Sequence, residues 1–268
     1  MNPPPLLYKY EALSTQSLLN LKRQVIYFGS PLNFNDPYDC ALTPNIETPS
    51  ADELEAIRQS YLQKQYLPPK AHAEFKSSTP ENLREILLRA AHSAFKTAVD
   101  DFLKSKGVAC FSETNDNLLM WSHYGGRGKG FCLEFATSAE PFQQIREVNY
   151  LPTLPTLNLS ALLFKTGVDY VSKLFCTKSE AWKYEREWRA IHHAADTQYI
   201  YPAEALTGVY FGPDIDQQSL EIVCLILAGQ NENVKLWRGT RSSTEFRVSF
   251  EEFTYTSHLD GKRKGYMK

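Results

Sequence analysis

The chain has 268 residues, 43% of them hydrophobic and 22% charged, a composition that excludes a disordered polypeptide and suffices for a large core. Its net charge of -2 and pI near 6.3 leave no global basic field for a nucleic-acid backbone, so any such contact is expected to be local. No window approaches about 18 consecutive apolar residues, which argues against a helical membrane span; the opening MNPPPLLYKY lacks the basic and apolar regions of a secretory leader, so a cytoplasmic location is expected.

Leu6 to Tyr10 reads as a strand, Ser14 as the cap of a short helix through Leu18, Leu19 and Leu21, and Val25 to Phe28 as a second strand rich in β-branched and aromatic side chains. Pro31, Asn33, Asn35, Asp36 and Pro37 then impose a turn-rich loop, in which Asn35 and Asp36 can cap backbone groups or a ligand. From Ala51 to Lys106 the pattern is helical. Ser50 and Thr79 are caps, Pro80 and Glu81 open the second helix, and Leu83, Leu87, Ala91, Phe95, Val99 and Phe102 recur along one face.

Strand character resumes at Gly107, and CFSETNDNLLMWSHYGGRGKGFCLEF reads as strand, short helix, glycine-rich turn, strand. A short strand at Val148 to Tyr150, a helix over Leu159 to Phe175 and a strand over Glu187 to His192 follow. Next come a helix from Ile215 to Leu227, strands near Val234 to Arg238 and Phe246 to Phe250, and a frayed tail at Lys262-Arg263-Lys264. This irregular interleaving predicts an α+β fold with a mainly antiparallel sheet, whole or split. One domain spanning 1–268 is expected, with a helical insertion at about 51–106.

Chemistry concentrates in Trp182-Lys183-Tyr184-Glu185-Arg186-Glu187-Trp188-Arg189. As a strand, this segment would project Glu185, Glu187 and Arg189 to one face and Arg186 and Trp188 to the other. A carboxylate pair suits sugar chemistry: one stabilises an oxocarbenium-like transition state while the other positions an acceptor. The competing reading is a salt-bridged strand in which Arg189 neutralises Glu187.

Trp121, His123 and Tyr124 lie on the short helix that runs into Gly125-Gly126-Arg127-Gly128-Lys129-Gly130. There loop amides with Arg127 or Lys129 could hold a phosphate, and a hairpin turn is the alternative. Arg238, Arg241 and Arg247 could form a local basic face or a solvated strand edge. The scattered Cys40, Cys110, Cys132, Cys176 and Cys224 read as buried thiols in a reducing compartment. No Cys or His pair has ligand spacing, so no metal site is expected.

The strings LLYKY, YFGSPLNFNDPYD, CFSETNDNLLMWSHYGGRGKGFCLEF and WKYEREWRAI, in this order, resemble a bacterial family classed as domain of unknown function 2971, sometimes associated with phage-defence loci. A looser resemblance is to the ADP-ribosyltransferase fold, whose opening strand, helix and strand are followed by a late glutamate, often in an ExE string. It implies an NAD-consuming transferase or glycohydrolase with NAD as substrate and a macromolecular acceptor. Glu187 would stabilise the oxocarbenium, Glu185 would position the acceptor, Tyr27 or Ser30 would order nicotinamide, and Lys9 or Tyr10 would lie near the diphosphate. Asn35, Trp121, His123 and Tyr124 complete the expected cofactor-binding set. Lys9 stands where that family usually has Arg or His, and a point charge lacks the bidentate geometry of Arg. The alternative is a non-catalytic module of a defence or stress system that binds a nucleotide or a protein segment.

Overall fold

Alternation along the strands sets the architecture. In the computed structural model, residues 2–63, 68–160, 174–231 and 233–266 are described. β1 (Leu6–Glu11) buries Leu7 on one face and sends Tyr8 and Tyr10 to the other. Helix α1 (Thr15–Arg23) starts in a reciprocal cap: the Ser14 hydroxyl accepts from the Ser17 N–H at 3.1 Å, and the Ser17 hydroxyl accepts from the Ser14 N–H at 3.0 Å. β2 (Val25–Phe28) follows.

The fold is mixed α and β, and the chain divides into two compact units. The first comprises Met1–Ser30, Lys106–Val148 and Ala181–Lys268. To β1 and β2 it adds β4 (Gly107–Ser112), α5 (Leu118–His123), β5 (Phe131–Ala136), β6 (Arg146–Glu147), β10 (Glu187–His192), β11 (Thr197–Ile200), β12 (Leu206–Phe211), α6 (Gln217–Ala228), β13 (Lys235–Arg241), β14 (Val248–Phe253) and α7 (His258–Arg263). The second unit, Pro31–Ser105 and Asn149–Glu180, holds β3 (Asn45–Ile46), α2 (Ala51–Leu62), α3 (Pro69–Ser77), α4 (Pro80–Ser105), β7 (Asn149–Leu151), β8 (Thr156–Leu157) and β9 (Thr177–Ser179).

In the first unit an eight-stranded sheet runs in the order β14-β13-β12-β5-β1-β4-β10-β6. Every neighbouring pair is antiparallel except β12 with β13, whose parallel pairing requires the crossover that α6 supplies. One face of this sheet is apolar. Leu7, Phe111, Leu133, Phe135, Trp188 and Val209 pack there against Leu21 of α1 and Leu220, Val223 and Leu227 of α6. β2 and β11 form a separate two-stranded sheet.

The opposite face is polar and aromatic. Register places Tyr8 opposite both Glu134 and Ser112, Ser112 opposite Glu187, and Arg189 opposite Cys110. Farther along the sheet, Cys132 lies opposite both Tyr10 and Tyr210, and Tyr210 opposite Trp237.

In the second unit, the helices expected at about 51–106 are α2, α3 and α4. Leu54, Ile57, Leu83, Leu87 and Leu159 form its core. The Ser50–Glu53 capping box starts α2, and the hydrogen bond from the Ser50 N–H holds the Glu53 carboxyl below its usual pKa. A buried ion pair joins Lys178 Nζ to Asp39 Oδ2 at 3.2 Å, and the rings of Phe102 and Phe175 stack at 3.6 Å.

Several boundaries differ from the expected ones. The helix expected over Leu159 to Phe175 falls for the most part, at 161–173, outside the described residues. Helix α6 begins at Gln217 because Asp216 caps it, accepting from the Ser219 N–H at 2.9 Å. The strand expected from Phe246 begins only at Val248, leaving Phe246 97% exposed in the turn. The tail is not frayed at Lys262 and Arg263: Ser257 caps α7 by accepting from the Asp260 N–H at 3.2 Å. Among the described residues no helix is long and apolar enough to cross a membrane.

None of the five cysteines forms a disulfide, and four of them are buried. Burial, reinforced by Glu221, pushes the Cys224 thiol up to about 12; burial, with Glu11 and Glu134 adding to it, holds Cys132 well above its ordinary value. Both therefore stay protonated near neutrality, and the thiolate is the reactive form. Iodoacetamide on the native protein at mildly alkaline pH is expected to leave Cys132 and Cys224 unlabelled in peptide mass spectra. Rapid labelling of either in the folded state would contradict this.

Candidate functional site

The charged segment is not one continuous strand. Glu180–Glu185 forms a 3-10 helix and β10 begins at Glu187, with Arg186 between them in the left-handed region at φ 45. The alternation that would set Glu185 beside Glu187 is therefore broken at Arg186. Arg186 instead swings to Glu113 at 2.5 Å, and Glu113 also accepts from the Trp188 indole at 2.9 Å.

Glu187 and Arg189 do share a strand face. Arg189 Nε donates to Glu187 Oε1 at 2.7 Å and Nη2 donates to Oε2 at 3.0 Å, with Glu187 4% and Arg189 0% exposed. This is the salt-bridged strand that competed with a catalytic pair, and its bidentate form is the strong geometry for a guanidinium and a carboxylate.

Glu185 reaches a different environment. Its carboxylate is buried and accepts from the Tyr124 hydroxyl at 2.6 Å, while the Ser112 hydroxyl donates to its backbone carbonyl at 2.7 Å. Tyr124 ends α5, a short helix started by Asn117, whose side chain accepts from the N–H groups of Leu119 at 2.9 Å and Met120 at 3.2 Å. The exposed His123 ring lies 6.2 Å from Tyr124, 6.3 Å from Trp182 and 6.4 Å from Tyr184, and the last two rings are 6.0 Å apart. The 3-10 helix and α5 thus bring four rings together beside one buried carboxylate.

The other sequence-predicted residues are placed as follows. Trp121 is a core residue, 2% exposed, with its indole donating to the Asn115 carbonyl at 2.7 Å. Tyr10 packs against it at 5.1 Å and donates to the Thr114 carbonyl at 2.9 Å. Lys9, one residue from Tyr10, shares the face of Leu7 and pairs with Glu11 at 3.3 Å. Burial alone would lower the pKa of its ammonium, but Glu11 outweighs that and holds it above the ordinary value.

Tyr27 stands in the β2–β11 sheet, donating to Asp196 at 2.5 Å. Ser30 ends the first segment of the first unit, next to Gly29, which bridges to Val108. Asn35 is exposed in the second unit, while the buried Asp36 beside it accepts from the Tyr38 N–H at 2.9 Å, a local turn cap. The expected set is accordingly not one constellation within the first unit: His123, Tyr124 and Glu185 meet there, while Lys9, Tyr10, Tyr27 and Trp121 do other work.

The glycine-rich stretch is a tight turn. Gly126, Arg127 and Gly128 adopt φ of 59, 59 and 80, and the N–H groups of Gly128, Lys129 and Gly130 donate to backbone carbonyls of the turn and α5. Those three amides do not point at a phosphate. Two of the three arginines near the C-terminus also have carboxylate partners, Arg241 with Asp214 and Arg247 with Glu245 and Asp116. Among the described residues no group of three or more His, Cys, Asp and Glu is placed to hold a metal ion.

Glu134 escaped sequence reasoning. It lies in the apolar run Phe131-Cys132-Leu133-Glu134-Phe135, and the alternation of Phe131, Leu133 and Phe135 toward the core was the signal that Glu134 projects from the polar face.

The family model described as Protein of unknown function (DUF2971) matches residues 120–190, a span that contains His123, Tyr124, Glu185, Glu187 and Arg189. No curated protein and no solved structure matches this chain. Over residues 120–190, which hold most of the glycine-rich string and of WKYEREWRAI, the chain is thus similar to the DUF2971 family of proteins of unknown function.

Proposed function

We propose that this chain is a recognition module for a nucleotide-class ligand such as NAD, in the setting of a bacterial defence or stress system. The ligand would be held at the ring cluster of His123, Tyr124, Trp182 and Tyr184, where Tyr124 bonds the Glu185 carboxylate. The observation that carries the reading is the 2.6 Å hydrogen bond from Tyr124 to the buried Glu185 carboxylate beside those rings. A carboxylate fixed by a tyrosine can accept from a ribose hydroxyl or an exocyclic amine, and the rings offer stacking area to a base. Glu187, held through both oxygens by Arg189, serves the sheet in this reading.

The second reading is the NAD-consuming transferase or glycohydrolase implied by the ADP-ribosyltransferase resemblance, with transfer to a macromolecule. The observation favouring it is the same buried Glu185, a group able to stabilise developing positive charge on a ribose.

One experiment separates the two. Purified protein is incubated with NAD, ADP-ribose or ATP while melting temperature and nicotinamide release are followed. Binding without turnover is expected: a nucleotide raises the melting temperature in a concentration-dependent way, and Tyr124→Phe weakens apparent affinity about fivefold, the worth of one hydrogen bond. Sustained nicotinamide release that disappears in Glu185→Gln would establish the second reading instead. The absence of both a melting shift and release would sink both.

A further inference from the structure

We infer that the cleft at the Glu134 end of the polar sheet face is a separate binding site for an aliphatic amine carrying ammonium groups. The inference uses none of the residues assigned to the nucleotide. The cleft encloses about 760 Å³ and is walled by Glu134, Thr207, Glu204, Gln230, Asn231 and Lys235, among others.

At its wall Glu134, only 9% exposed, accepts from the Thr207 hydroxyl on Oε1 at 2.7 Å and from the Tyr210 hydroxyl on Oε2 at 2.7 Å. Gly208 leaves room beside this carboxylate: a Cβ there would sit 3.1 Å from Glu134 Oε1, tighter than an ordinary contact. Burial, with Glu134 adding to it, raises the pKa of both Tyr8 and Tyr210, so their hydroxyls remain protonated throughout the physiological range.

Two hydroxyls orient this carboxylate, but neither carries a positive charge. Among the described residues no cation forms an ion pair with Glu134; Lys235, the cation on the cleft wall, pairs with Glu252 at 3.8 Å. A buried carboxylate without a counter-cation is costly, since burying a charge is offset mainly by pairing it. The Asn231 amide nitrogen donates to the carbonyls of Ala203 at 2.6 Å and Leu206 at 3.2 Å, and the Gln230 amide nitrogen donates to the Lys22 carbonyl.

The wall carries two carboxylates, Glu134 and Glu204, against one ammonium, that of Lys235, which is already paired with Glu252. Such a wall selects a ligand with several N–H donors and positive charge, which an ammonium group supplies. Two carboxylates in one open cleft favour a diamine or longer polyamine over a single ammonium.

Isothermal titration of the full chain with putrescine and with spermidine at physiological ionic strength tests this. Saturable binding of at least one of them is expected, with butane-1,4-diol, of putrescine's length but uncharged, giving none. Glu134→Gln, which keeps the shape and removes the charge, is expected to weaken binding at least about tenfold, the scale of one charge-assisted hydrogen bond. Glu204 is exposed, so Glu204→Gln leaves the fold intact and serves if Glu134→Gln melts early. A several-fold loss of affinity is expected from it. No saturable binding of either amine at millimolar concentration, or an affinity unchanged in Glu204→Gln and in any folded Glu134→Gln, overturns the inference.

Discussion

Alanine at Gly130 is expected to destabilise the first unit by at least about 3 kcal/mol and to leave little folded protein at physiological temperature. A Cβ at that position would lie 2.1 Å from the Glu11 carbonyl oxygen and 2.9 Å from the Gly125 carbonyl oxygen. Both obstacles are backbone, so no side-chain rotation relieves them. The backbone of Gly130 is itself tied: its N–H donates to Gly125 and its carbonyl accepts from Gly212, each at 2.9 Å. Moving away would open the turn that leads α5 into β5 and with it the placement of Tyr124. Gly212→Ala should behave alike, its Cβ meeting the Gly128 carbonyl oxygen at 2.2 Å. Gly229→Ala, where the nearest atom is 3.8 Å away and φ is -90, provides the contrast and should change stability by less than about 0.5 kcal/mol. Urea midpoints measure all three, and a Gly130→Ala protein with the wild-type midpoint would refute the steric account.

The second large effect concerns the pair in β10. Arg189→Met is expected to cost about 3–5 kcal/mol, because it strips a buried carboxylate of its bidentate partner. Adding Glu187→Gln or Glu187→Leu to that variant should recover a substantial part of the loss, since the charge that made the position costly is then gone. A double-mutant cycle in urea reads this directly: a coupling near zero would mean that the 2.7 and 3.0 Å contacts contribute nothing to stability. The same proteins inform on function. If Glu187 belongs to the sheet, Glu187→Gln lowers the melting temperature while ligand-induced shifts persist in the folded fraction; Glu185→Gln should do the reverse.

Much of the first unit was legible in the chain. Alternation in LLYKYE, FCLEFA and EWRAIH marks strands with one apolar and one polar face, because consecutive side chains of a strand point to opposite sides. Ser14 and Ser50 mark helix starts for an equally local reason: a side-chain oxygen meets the N–H groups of its own first turn. The sharing of a face by Glu187 and Arg189 follows from the same rule.

Where local rules compete, the residues alone do not decide. WKYEREWR alternates well enough for an unbroken strand, yet Arg186 takes a left-handed conformation and Glu185 turns to Tyr124, a residue 61 positions away along the chain. Lys9 and Tyr10 looked like neighbours in one site, but the pleat sends them to opposite sides and the apolar face claims that of Lys9.

Local physics in the sequence determined which residues form strands and helices, where the helices start, and which side chains along one strand share a face. Only the tertiary structure decided the strand order that lines Glu134, Tyr8, Ser112 and Glu187 across one sheet face, the turn that carries Tyr124 to Glu185, and the cleft beside Glu134. Pairing between strands far apart in the chain depends on the global fit of two faces and on loop closure, and neither is written into any short window of residues.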